Sequence, residues 1–156
     1  MACSDTVKRH LSDKGVQFEV VSHSRTGGSM ETAAAAHVSG EGLAKAVVLK
    51  DKDGHLVAVI PATHKLELGK LNESLGRSLE MAAEVEFADL FKDCDLGAVP
   101  PLAGAYGLDA VIDEGFTGME NVYFEGGDHS SLIKVSGADF QKLMAEADSG
   151  SFSHHV

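Results

Sequence analysis

Cysteine is nearly absent from this chain, which carries only Cys3 and Cys94 in 156 residues. One lies close to the N-terminus and the other among acidic residues. Neither a disulfide framework nor a cysteine zinc site is expected, and a reducing compartment suits the protein. Tryptophan is missing and aromatic residues make up 6% of the chain, which argues against a nucleic-acid reader that works mainly by stacking bases on aromatic rings. No segment approaches the roughly 20 apolar residues that a membrane span requires. The opening stretch Met1-Ala2-Cys3-Ser4-Asp5-Thr6-Val7-Lys8-Arg9-His10 has no apolar run of the signal-peptide kind. A cytoplasmic protein without a membrane partner is therefore expected.

Basic residues are also scarce, 13 against 24 acidic, for a formal net charge of -11. The deficit is local. Segment 78–130 carries Lys92 alone against Glu80, Glu84, Glu86, Asp89, Asp93, Asp95, Asp109, Asp113, Glu114, Glu120, Glu125 and Asp128, which accounts for the whole excess. In segment 43–77 the cations Lys45, Lys50, Lys52, Lys65, Lys70 and Arg77 outnumber Asp51, Asp53, Glu67 and Glu73. Any phosphate-binding surface is expected on that side.

The length fits one domain with a real core. Ser4 is placed to cap a helix whose Val7 and Leu11 share a face, with Gly15 ending it. Val16, Phe18 and Val20 alternate as a half-buried strand does, and Met30 to His37 reads as a short alanine-rich helix after a loop. The clearest local signal is the pair of β-branched runs 45–50 and 55–60 around Asp51-Lys52-Asp53-Gly54, a hairpin. Leu66, Leu68, Leu71 and Leu75 suggest a helical connection, 78–82 a short strand and 86–91 another helix. Segments 110–112, 122–124 and 132–135 are expected as strands of an antiparallel sheet, and Ser136 opens a last helix that turns Phe140, Leu143 and Met144 inward. The domain is expected to span 1–148 and to leave 149–156 as a flexible tail.

Three elements are candidates for chemistry. Lys45 begins an otherwise apolar strand, so its ammonium is expected at a strand end rather than within the core. Gly97-Ala98-Val99-Pro100-Pro101 joins a permissive glycine to two prolines of fixed φ, which can hold backbone groups towards a ligand at little entropic cost. His129 follows Gly126-Gly127-Asp128 immediately before a strand, where an imidazole can donate a hydrogen bond or titrate near neutral pH. Each element also has an ordinary structural role open to it: a snorkelling lysine, a rigid turn, a histidine covering a strand end.

In this order the three resemble the YbaK-like family of aminoacyl-tRNA deacylases, which includes the editing domain inserted in bacterial prolyl-tRNA synthetases. Leu43-Ala44-Lys45-Ala46-Val47-Val48-Leu49 matches the stretch around the family's key lysine, with Ala46 where a polar residue is common. The run 97–101 matches the family's Gly-x-x-x-Pro loop, and Gly126-Gly127-Asp128-His129 its glycine-histidine element. The resemblance implies a mixed α/β fold: a largely antiparallel, six- or seven-stranded barrel-like sheet flanked by helices. It also implies hydrolysis of the ester that joins an amino acid to the terminal adenosine of tRNA, without metal or cofactor. The partner is the acceptor end of an aminoacyl-tRNA, with a synthetase as a further candidate and no role for DNA. Lys45 is assigned to electrostatic positioning. Gly97, Ala98, Val99, Pro100 and Pro101 are assigned to holding adenosine or the aminoacyl group, and Gly127 with His129 to pocket contacts. The competing expectation is a regulatory module that binds a nucleotide or amino acid in the same pocket without turnover. A metal site at His154 and His155 is disfavoured, because two adjacent histidines do not fix a coordination geometry.

Overall fold

The computed structural model describes residues 4–23, 40–94, 99–128 and 130–155. The alanine-rich helix expected over 30–37 lies outside them. Helix α1 (Asp5–Asp13) starts as its sequence demands. Ser4 Oγ accepts the Val7 N–H at 3.3 Å, Val7 and Leu11 are fully buried, and Gly15 leaves the helix at φ +68°. The Val16 N–H is then taken by Leu11 O, so the following strand begins later than the alternation suggests. Strand β1 (Glu19–Ser22) is an edge strand on which Val20 is 46% exposed.

The hairpin forms as expected. Strands β2 (Leu43–Asp51) and β3 (Gly54–Pro61) pair antiparallel from Ala44↔Pro61 to Asp51↔Gly54. Arg77 braces the turn with two 2.7 Å bonds to Asp51, and these hydrogen bonds hold that carboxyl down to about 2. Next come β4 (His64–Leu66), helix α2 (Leu68–Leu75) and β5 (Glu80–Met81). The helix expected over 86–91 is a single turn, Glu84–Phe87. Val85 there is 80% exposed while Phe91 is drawn into the core against Tyr106, so no continuous apolar face sustains a longer helix. Strands β6 (Asp109–Asp113), β7 (Asn121–Glu125) and β8 (Ser131–Ser136) lead into helix α3 (Gly137–Leu143), capped by Ser136 Oγ on the Asp139 N–H.

These elements make a mixed α/β fold with a mostly antiparallel sheet, which departs from the expected six- or seven-stranded barrel-like sheet in strand number and closure. Among the described residues it has eight strands in the order β1-β8-β7-β2-β3-β6-β9, the last being Asp148–Gly150, with β5 beside β2 and β1 and β9 as separate ends, so it does not close. β7 lies parallel to β2, and β6 parallel to β3. Strand spacing reveals that strands exist. Which strand lies beside which depends on burial between segments far apart in sequence. One face of the hairpin turns Ala44, Val48, Val57 and Val59 towards α1, Phe91, Phe116, Phe124 and Phe140. The other turns Leu49, Leu56, Ala58 and Ile60 towards Leu71, Leu79 and Phe152.

The C-terminal segment is also a correction. Residues after Asp148, expected to hang loose, form β9 (Asp148–Gly150) beside β6 and β10 (Ser153–His155) beside β4. The buried Phe152 side chain anchors them. Asp113 accepts the Phe152 N–H at 3.2 Å, the Ser153 hydroxyl at 2.9 Å and the Gly115 N–H at 2.9 Å. Asp113→Ala strands one buried donor, the Phe152 N–H, and is expected to cost about 3 kcal/mol, since a bond to a charged acceptor is worth roughly 1.5–3 kcal/mol and the two part-buried donors can turn to water. Urea unfolding measures the loss, and faster amide exchange in β9 and β10 locates it. An unchanged midpoint would show that the segment is held by Phe152 alone.

Candidate functional site

Lys45 is the third residue of β2 and pairs with Ile60. The parallel register Leu43↔Tyr123 and Ala44↔Phe124, continued along β2, brings Lys45 level with Glu125 at the end of β7. Side chains alternate along a strand, so Leu43, Lys45, Tyr123 and Glu125 share one face. That face is floored by Leu43, Ala62 and Leu132, with Val21 and Tyr123 against them. Ala46 points the other way and packs against the α1 core, so it does not neighbour Lys45 on its own face.

The Lys45 ammonium is partly buried and makes no ion pair or side-chain hydrogen bond among the described residues. Burial pushes its pKa below the ordinary lysine value. Sequence reasoning missed Glu125, which is only 8% exposed despite its charge. The signal was an acidic residue ending an apolar strand just before two glycines. The backbone N–H of His23 donates to Ser130 O at 2.9 Å, and its ring Nε2, like Glu125 Oε2, is shielded from solvent.

The turn after β7 is tied to the start of the chain and to the segment that leads into residue 97. Ser4 N donates to Gly126 O at 2.6 Å. Gly127 has φ +104°, and a Cβ there would stand 2.8 Å from Ser4 Cβ and 3.3 Å from Cys94 Sγ. Beside it Asp93 gathers donors: Ser4 Oγ at 2.6 Å, Tyr106 OH at 2.9 Å and the Thr6 N–H at 3.0 Å. The Cys94 thiol donates to Asp93 Oδ1 at 3.6 Å and lies 3.1 Å from the Tyr106 hydroxyl. Burial opposes ionisation of Asp93, yet the donors Ser4, Thr6 and Tyr106 outweigh it and hold the carboxyl well below the usual range. Burial pushes the Cys94 thiol up to about 11 and raises Tyr106 too. Cys94 is thus a protonated structural thiol at neutral pH and not a nucleophile.

Of the residues expected in the site, Pro100 and Pro101 are buried and Val99 packs against the core, with Pro101 O accepting the Ala103 N–H at 2.9 Å. Gly97, Ala98 and His129 lie outside the described residues. Cys94 Sγ lies close to Gly127, so the segment before residue 97 meets the turn after β7, while Lys45 stands on the sheet face opposite the core that packs Cys94. A cavity of about 590 Å³ lies elsewhere, at the Leu56 end of β3, and contains none of the expected site residues. No group of three His, Cys, Asp or Glu side chains among the described residues has a metal-holding arrangement.

Residues 23–143 match the model of the aminoacyl-tRNA editing domain family. The chain is 31% identical over 146 residues to the multifunctional Ser/Thr-tRNA deacylase ProXp-y of Escherichia coli K12, covering 85% of this chain and 83% of that protein. A solved structure assigned as a trans-editing enzyme for prolyl-tRNA synthetase superposes with a TM-score of 0.82 at 24% identity, over 96% of this chain and 95% of that one. A larger protein from Marinobacter aquaeolei VT8, assigned to signal transduction, superposes with a TM-score of 0.77 at 25% identity. This fold covers 95% of the present chain but 30% of that one.

Proposed function

The chain belongs to the aminoacyl-tRNA editing domain family, and on that premise we propose that it is a trans-editing deacylase which hydrolyses the aminoacyl ester of mischarged tRNA in the cytoplasm. The observation that carries this reading is Lys45, a partly buried ammonium with no counter-ion among the described residues, on the sheet face it shares with Glu125. A cation held this way is available to an anionic or electron-rich ligand group. The terminal ribose and phosphate of tRNA supply such groups.

An aminoacyl ester is activated enough to be cleaved by water or by the neighbouring ribose hydroxyl, once the carbonyl is held and the developing oxyanion meets fixed donors. No protein nucleophile is required, which agrees with a Cys94 thiol that stays protonated. In this reading Lys45 positions the terminal ribose or phosphate electrostatically. Backbone groups of Gly97, Ala98, Val99, Pro100 and Pro101 hold adenosine or the aminoacyl moiety, and Gly127 and His129 contact the pocket. The buried network of Asp93, Ser4 and Tyr106 keeps the ends of these two loops in register.

Specificity comes from a small second site, because a synthetase separates side chains that differ by one methylene only about 10- to 200-fold. The curated relative acts on seryl- and threonyl-tRNA by its name, so these esters are the first to assay, followed by alanyl, cysteinyl and prolyl. Incubation of the purified protein with that panel of mischarged tRNAs is expected to release at least one amino acid faster than spontaneous hydrolysis. Binding of tRNA or amino acid without turnover of any member would replace the deacylase by a regulatory binding module.

A further inference from the structure

An enzyme acting on tRNA with a formal charge of -11 needs a defined place for phosphates. The basic segment 43–77 provides it only in part, because three of its six cations are engaged. Lys50 pairs with Glu80 and Glu86, Lys70 with Glu67, and Arg77 with Asp51. Lys14 of the α1 end and Lys142 of α3 make no ion pair among the described residues and are exposed. They come together in space: both line the 590 Å³ cavity with His10, and a Cβ on Gly15 would lie 4.0 Å from Lys142 Nζ.

Thr6, His10 and Lys14 follow one another at i, i+4 spacing and so form one flank of α1. At its upper end the Thr6 N–H is bound to Asp93, the residue next to Cys94 and the proline-loop segment. At its lower end the flank reaches Lys142. The distance along the helix axis from Thr6 to Lys14 is about 12 Å at roughly 1.5 Å per residue, or three to four nucleotides at roughly 3.4 Å of rise per nucleotide of one strand. The acidic side chains nearby are Asp93 at the Thr6 end, Asp13 beside Lys14, Asp139 one turn before Lys142, and Asp109, Glu146 and Asp148 lining the same cavity. Asp109 and Asp148 stand on paired strands β6 and β9 and repel phosphate from that wall, which leaves the α1 side as the favourable track.

We infer that the α1 flank of Thr6, His10 and Lys14, continued by Lys142, carries the phosphodiester backbone of the acceptor arm whose 3′ end enters the site. This rests on the deacylase reading for the identity of the RNA, and the test separates the two. Binding of fluorescently labelled, deacylated bulk tRNA is measured for the wild type and for the double variant Lys14→Ala/Lys142→Ala across salt concentrations. The variant is expected to bind roughly tenfold more weakly near 0.1 M salt, and the slope of log affinity against log salt is expected to fall by about 1.4–1.8 for two lost phosphate contacts. With the mischarged tRNA that the wild type cleaves, KM should rise by the same factor at unchanged kcat. An aminoacylated CCA trinucleotide, which lacks the stem, should show no change. Lys14→Arg/Lys142→Arg should restore binding. An unaltered affinity and salt slope in the alanine variant, or an equal KM increase on the trinucleotide, overturns the surface. A wild type that binds tRNA but deacylates nothing overturns the deacylase reading, and the surface is then judged by the binding data alone.

Discussion

Replacing Lys45 by alanine is expected to lower the rate of deacylation by about 100- to 1000-fold, the range seen when one preorganised electrostatic contact to a reacting centre is removed. The fold should survive. Lys45 makes no ion pair or side-chain hydrogen bond among the described residues, so the truncation leaves no buried partner unsatisfied. Lys45→Arg should recover little, because a planar guanidinium fork cannot reproduce a compact ammonium in a confined site. The pH profile supplies an independent readout. Burial lowers the Lys45 pKa, so the ammonium is lost on the alkaline side at a lower pH than for an ordinary lysine near 10.4. Activity should therefore fall as pH rises through that depressed value and be retained below it. Single-turnover deacylation between neutral and alkaline pH, with circular dichroism on each variant, measures all three. Wild-type turnover in a folded Lys45→Ala protein would remove Lys45 from the site.

The second large effect is expected at Gly127. An alanine there must adopt φ +104° and place its Cβ 2.8 Å from Ser4 Cβ and 3.3 Å from Cys94 Sγ. Left-handed backbone costs an L-residue roughly 1–2 kcal/mol and overpacking a tight contact roughly 1–3 kcal/mol more, so Gly127→Ala should lose about 2–5 kcal/mol. Gly118 provides the control. Its φ is +79° with nothing within 4 Å of a built Cβ, and Gly118→Ala should lose only the backbone part, about 1–2 kcal/mol. Urea midpoints compare the two. Because the clash pushes Ser4 and Cys94 away from the turn, the folded fraction of Gly127→Ala should also deacylate more slowly, whereas Gly118→Ala should keep the wild-type rate. Equal destabilisation at both positions would mean that the contact with Ser4 and Cys94 is not a close one.

Several features were legible in the sequence because their causes are local. Ser4 capping α1, Ser136 capping α3 and the hairpin around Asp51 to Gly54 each depend on residues within a few positions of one another. The family was legible for a related reason: Lys45 and the runs 97–101 and 126–129 are short sequence motifs, read in order along the chain. Only the tertiary structure could set β7 beside β2, and so place Glu125 on the face of Lys45. It alone could bring Asp93 to Ser4 and Tyr106, or engage Lys50, Lys70 and Arg77 while leaving Lys14 and Lys142 together and uncommitted. The C-terminal segment makes the same point. Its serines, glycine and histidines suggest a loose end, yet one buried phenylalanine and one carboxylate from β6 hold it in two strands. Local rules fix what each segment can form. Which segments meet is decided by burial and hydrogen-bond satisfaction between residues far apart in the chain, and those terms exist only once the chain has closed on itself.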